Sequence, residues 1–209
     1  MFMEVFRRVT LPAELDARRG LLGHGSLLTV TSYANRTSVV LRGKWLLENI
    51  LGAPPPPPPP NVPSLEENTT DNKPLPLRQL MEKHRRNPGC ASCHAAMDPL
   101  GFALENFDAV GRWRGVDGNT PIDASAVLPD GTILEGPSGL RSMLLKQSAD
   151  FVGVVAEKMA TYALGRGLEY YDVPAIRGIV REAARENYRW SSLILATARS
   201  MPFQMRRSQ

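Results

Sequence analysis

The stretch His84–Arg114, "HRRNPGCASCHAAMDPLGFALENFDAVGRWR", decides how this chain is read. At its centre "CASCH", Cys90 to His94, holds both cysteines of the protein and one of its three histidines. Two thiols three residues apart on a helical turn point the same way, and the next residue can then supply an axial nitrogen to an iron lying between them. This is the c-type haem attachment signature, with the histidine as its specific part. On this reading Cys90 and Cys93 form the two thioether links and His94 is the proximal ligand.

Three other readings compete with it. A redox dithiol usually follows a strand in a βαβ pattern, whereas "LPLRQLMEKHRRNPG" before Cys90 reads as a helix and a turn. A structural zinc needs four ligands. His84, Cys90, Cys93 and His94 make four, but adjacent Cys93 and His94 fit one tetrahedral ion awkwardly. The plainest alternative is a pair of unrelated buried thiols.

Working outward, "LPLRQLMEKHR" predicts a helix over about Leu77–Arg85. Asp98 ahead of Pro99 reads as an N-cap and first-turn pair, hence as structural. "AVLPDGTILEG" alternates about a Pro-Asp-Gly turn and predicts a small β-hairpin. Helices are predicted over about 138–147, 149–164, 174–187 and 190–200, the third starting at Asp172. Toward the N-terminus, "GLLGHGSLLTVTSY" suggests a strand or a buried loop. "TSVVLRGKWLLENILG" predicts a helix capped by Thr37 or Ser38 and stopped at Gly52. Between these parts Pro54–Pro60 predicts a stiff polyproline rod of roughly 22 Å, read as a rigid spacer.

The fold expected is therefore mainly α: a small helical cytochrome-c-like haem domain at 75–209 with a minor β-hairpin. A proline-rich linker at 54–74 precedes it. Residues 1–53 are expected to be the C-terminal part of a truncated upstream domain, or to pack on the haem domain.

Composition fits a folded soluble chain of 209 residues, 43% hydrophobic and 22% charged. A net charge of +4, with no basic run and no interleaved aromatics, gives no reason to expect a nucleic-acid partner. No apolar stretch approaches 18 residues, so no membrane span is expected. The N-terminal residues lack a signal-peptide core, whereas thioether attachment takes place outside the cytoplasm. The expectation is an extracytoplasmic protein, periplasmic or secreted, whose export signal lies on a missing N-terminal part.

Three segments together, "RRGLLGHGSLLTVTSYANRTSVVLRGKWLLENILGAPPPPPPPNVPSLEE", the stretch around Cys90 and "EKMATYALGRGLEYYD", resemble the C-terminal domain pair of large planctomycete-type c-type cytochromes. The resemblance runs from about Arg19 to Arg207. It implies an exported haem protein with further cytochrome domains upstream, and it implies no established substrate.

The distal ligand is less constrained. Met97 lies on the same helical face as His94 and is excluded. His84 is close in sequence, and His24 lies outside the expected haem domain. Met143, Tyr162, Tyr170 and Tyr171 are further candidates. Met159, on the stripe Phe151, Val152, Val155, Met159 and Tyr162, combines distance from His94 with apolar placement and is the expected sixth ligand. Arg112 and Arg114 are candidates to hold a haem propionate. Glu105 and Asp108 share a helical face, read as solvated. One covalently attached haem c is the expected cofactor. The expected activity is electron transfer, with a redox partner protein or the upstream cytochrome domains as partner. A peroxidase-like haem enzyme with an open distal site and a zinc-stapled interaction module are the alternatives.

Overall fold

The structure is a computed structural model and describes residues 9–57, 77–86 and 88–205. Pro58–Pro60 of the expected polyproline rod and the rest of the expected linker, to residue 74, fall outside them. The fold is mainly α with two small antiparallel strand pairs. The chain divides into two units: Met1–Lys44 with Pro56–Met143, and Trp45–Pro55 with Leu144–Gln209. The division is discontinuous in sequence, with Trp45–Pro55 grouped with the residues from Leu144 onward. The N-terminal segment joins the unit that carries Cys90, and the later helices form a unit of their own.

In the first unit, Gly25–Val30 forms α1, where a strand or a loop was expected. Leu27 and Leu28 are buried there at adjacent positions, a pattern that suits a short helix as well as it suits a strand. α2, Val39–Leu46, begins where the sequence places its cap: Ser38 Oγ accepts a hydrogen bond from the Leu41 N–H at 3.2 Å. α3 spans Leu77–His84 and α4 spans Pro88–Phe102.

α2 and α4 approach until their backbones touch. A Cβ on Gly43 would lie 2.0 Å from the Met97 carbonyl oxygen, and one on Gly101 would lie 2.0 Å from the Val39 carbonyl oxygen. The two contacts are reciprocal and one turn apart, in opposite order along the two helices. Only glycine allows such an approach.

Beyond α4 the chain turns through Ala103–Arg114, and this turn is held from inside by Arg42. Its side chain is fully buried and donates to the carbonyls of Leu104, Phe107 and Asp108, each at 2.8 Å. These carbonyls belong to the turn that follows α4, and a planar guanidinium can reach all three at once.

The predicted hairpin is present as β3 (Ser125–Val127) paired with β4 (Ile133–Glu135). A shorter pair precedes it, β1 (Val116–Asp117) with β2 (Thr120–Pro121). Arg78 on α3 donates to the carbonyls of Asp123 and Ser125 and stacks on Phe102, its guanidinium 4.2 Å from the ring centroid. Those contacts fix α3 against α4. α5, Gly136–Lys146, begins at the end of β4.

The second unit is built on α6 (Ser148–Leu164), α7 (Val173–Arg185), α8 (Trp190–Arg199) and α9 (Met201–Gln204), close to the predicted spans. Val152, Ala156 and Ala160 on α6 meet Ile176, Ile179 and Ala183 on α7 and Leu193 and Ala196 on α8. The four alanines keep these helices close. Gly52 stops the helical run at the predicted place, with φ 65°. Glycine is doubly required there, because a Cβ would also lie 2.7 Å from a Val154 methyl.

Candidate functional site

α4 carries Cys90, Cys93, His94, Met97 and Asp98, all on one face by their spacing. The face grades from surface to core. Cys90, Cys93 and His94 are partly exposed, whereas Met97 and Asp98 are buried. Both thiols are free, with no disulfide. Pro88 at the first helical position suits a helix start, since its missing N–H would have no partner there.

His94 is held by Asp98, one turn further on. The separation from Nδ1 to Asp98 Oδ1 is 2.8 Å, and the Asp98 side chain is fully buried. Here the structure corrects the cap reading. α4 runs unbroken through Asp98 and Pro99, and the carboxylate takes an imidazole N–H rather than a backbone N–H of its own chain. A proline inside a helix costs roughly 3 kcal/mol, offset here by burial of Leu100 and Phe102 and by the Gly101 contact with α2. The i, i+4 spacing in "HAAMD" was the signal for this pair. Reading Asp98 as a cap concealed it.

Arg85, just past α3, places Nε 3.6 Å from Asp98 Oδ2. His84 meets His94 edge to face, with ring centroids 4.9 Å apart. Burial, and then the neighbouring His94, hold the His84 imidazole below its ordinary value, with Asp98 opposing. His84 is therefore a contact of the His94 ring itself.

Arg114, a candidate for propionate, is engaged elsewhere. It pairs with Glu105 at 3.2 Å and with Asp117 at 2.6 Å. Glu105 is buried rather than solvated, accepting from Thr37 at 3.0 Å and facing Arg42 at 3.5 Å. Burial pushes its carboxyl above the usual range, and Arg42, Thr37 and Arg114 pull it back. Asp108 closes a turn, its Oδ1 accepting from the Val110 and Arg112 N–H groups. Arg112 is exposed. The face expected for Glu105 and Asp108 is thus an internal ion-pair network and a turn, not a solvated pair.

Met159 belongs to α6 in the second unit. Its sulfur accepts from Thr197 Oγ1 at 3.5 Å, and its side chain packs against the core of that unit. Met143 is buried in α5. Tyr162 and Tyr170 are highly exposed, at 90% and 85%.

These features define a mainly helical protein of two units, the first bearing a Cys-x-x-Cys-His helix backed by a buried aspartate. Residues 18–117 match the model of a protein family of unknown function, DUF1588, and residues 130–203 match that of a second, DUF1585. These domains are known as a pair. No curated protein and no solved structure matches the chain.

Proposed function

We propose that the first unit is a covalent haem c module and that the chain serves one-electron transfer within an exported protein. The observation that supports this most is the single helical turn bearing Cys90, Cys93 and His94, with His94 Nδ1 engaged by Asp98 so that Nε2 is left for iron. Each thiol would add across one vinyl group: a C–S bond forms, the thiol hydrogen passes to the other vinyl carbon, and nothing leaves. When bound, the group supplies a ferric/ferrous couple that exchanges one electron with a donor and an acceptor protein. The chain's own residues then set position: α4 presents the two thiols, Asp98 orients His94, and Arg112 is exposed close behind as the remaining propionate candidate.

The sixth ligand expected from the sequence, Met159, is tested by the Met159→Ala variant below. The proposed site of action is extracytoplasmic, with a redox partner protein or upstream cytochrome domains of a longer chain as the exchange partner.

The test is production in an exporting host with the haem-attachment machinery, then denaturation and extraction with acidified organic solvent. Haem retained by the polypeptide supports the reading, and haem that leaves it ends it. Spectra with and without carbon monoxide separate carrier from enzyme. A closed iron with a weak far-red band, lost in Met159→Ala together with a gain of carbon monoxide binding, is the carrier result. Ready carbon monoxide binding and peroxide turnover by the unmodified protein would replace it with the enzyme reading.

A further inference from the structure

We propose that Asp98 is a positioning residue that makes His94 an electron-rich ligand and biases the iron toward its ferric state. The proposal rests on the haem reading above. An ionised carboxylate carries no hydrogen, so in the 2.8 Å contact His94 Nδ1–H is the donor and Asp98 Oδ1 the acceptor. That fixes the tautomer with its lone pair on Nε2. A carboxylate also does more than a neutral carbonyl in the same place, because it draws on the Nδ1–H and raises the basicity of the other nitrogen.

The surroundings strengthen this effect. Asp98 is fully buried, where charge is poorly screened. Its Oδ2 is buried and makes no hydrogen bond among the described residues. Arg85 Nε, at 3.6 Å from Oδ2, is a counter-charge beyond hydrogen-bonding range. Much of the carboxylate's demand for positive charge therefore falls on His94, one helical turn away. Ferric iron withdraws more electron density from the imidazole than ferrous iron, so the ferric state gains more from Asp98. Reduction adds one electron to the iron, and the Nδ1 proton stays where it is.

The experiment measures the midpoint potential of the covalently loaded full chain by spectroelectrochemistry, for the unmodified protein, Asp98→Asn and Arg85→Gln. Asp98→Asn keeps the side-chain shape and an acceptor oxygen but removes the charge. Its potential is expected to rise by a tenfold or larger loss of ferric preference, about 59 mV for one electron. Arg85→Gln removes the counter-charge and is expected to lower the potential. A purely structural role would not move the two variants in opposite directions. Loaded Asp98→Asn with an unchanged potential overturns the proposal. Should Asp98→Asn fail to load, Arg85→Gln decides, and an unchanged potential there overturns it equally. Absence of covalent haem in the unmodified protein is a different result and removes the haem reading itself.

Discussion

Gly43→Ala changes one hydrogen for a methyl group in the middle of a helix, where helix propensity alone favours alanine by about 1 kcal/mol. The structure predicts the opposite outcome. The new Cβ would sit 2.0 Å from the carbonyl oxygen of Met97. Real contacts of this kind begin at about 3 Å, so α2 and α4 must separate by roughly 1 Å. The obstacle is backbone, which cannot swing aside as a side chain can. Overpacking of this severity lies at the upper end of the usual 1–3 kcal/mol. After the propensity gain, a net loss of about 2 kcal/mol remains, or roughly 4–8 °C in melting temperature for a domain of this size. Thermal unfolding followed by far-ultraviolet circular dichroism measures it. Gly178→Ala on α7, where a Cβ would meet nothing within 4 Å, is the control and is expected to be neutral or stabilising. Adding Gly101→Ala should cost less than its single effect, since the helices have already moved apart. If Gly43→Ala stabilises the protein as Gly178→Ala does, the backbone contact between α2 and α4 is wrong.

Arg42→Ala releases the carbonyls of Leu104, Phe107 and Asp108 and removes a counter-charge of buried Glu105; a loss of about 3–5 kcal/mol is expected in denaturant titrations. Arg42→Lys should restore little of it, because a single ammonium cannot reach three carbonyls. In the second unit, hydrogen bonds from Arg166 hold the Asp172 carboxyl below its ordinary value. Its contribution is thus fully present above the unfolded carboxylate pKa and is lost as pH falls through the lower folded value. Asp172→Asn should flatten the acid limb of a stability–pH curve, and an unaltered limb would refute the pairing. In exported protein, Cys90→Ala and Cys93→Ala should each leave one thioether and still retain haem in acidified solvent, while the double variant should release it.

Local rules were enough for much of the chain. The cap at Ser38, the stop at Gly52, the hairpin around Pro129-Asp130-Gly131 and the four later helices follow from side-chain hydrogen bonds, backbone freedom and apolar period, all set within a few residues. The grouping of Cys90, Cys93 and His94 on one turn is likewise a matter of spacing. Tertiary structure decided what depends on residues distant in sequence. It placed α2 against α4 through Gly43 and Gly101, because only a second helix gives those glycines a reason to lack a side chain. It buried Arg42, Glu105 and part of Arg114 in one network, since charges spaced like a solvated face cannot reveal that their partners lie some sixty residues away. It also turned Asp98 from a cap into the partner of His94, because an Asp-Pro pair starts a helix unless the chain before it is already helical.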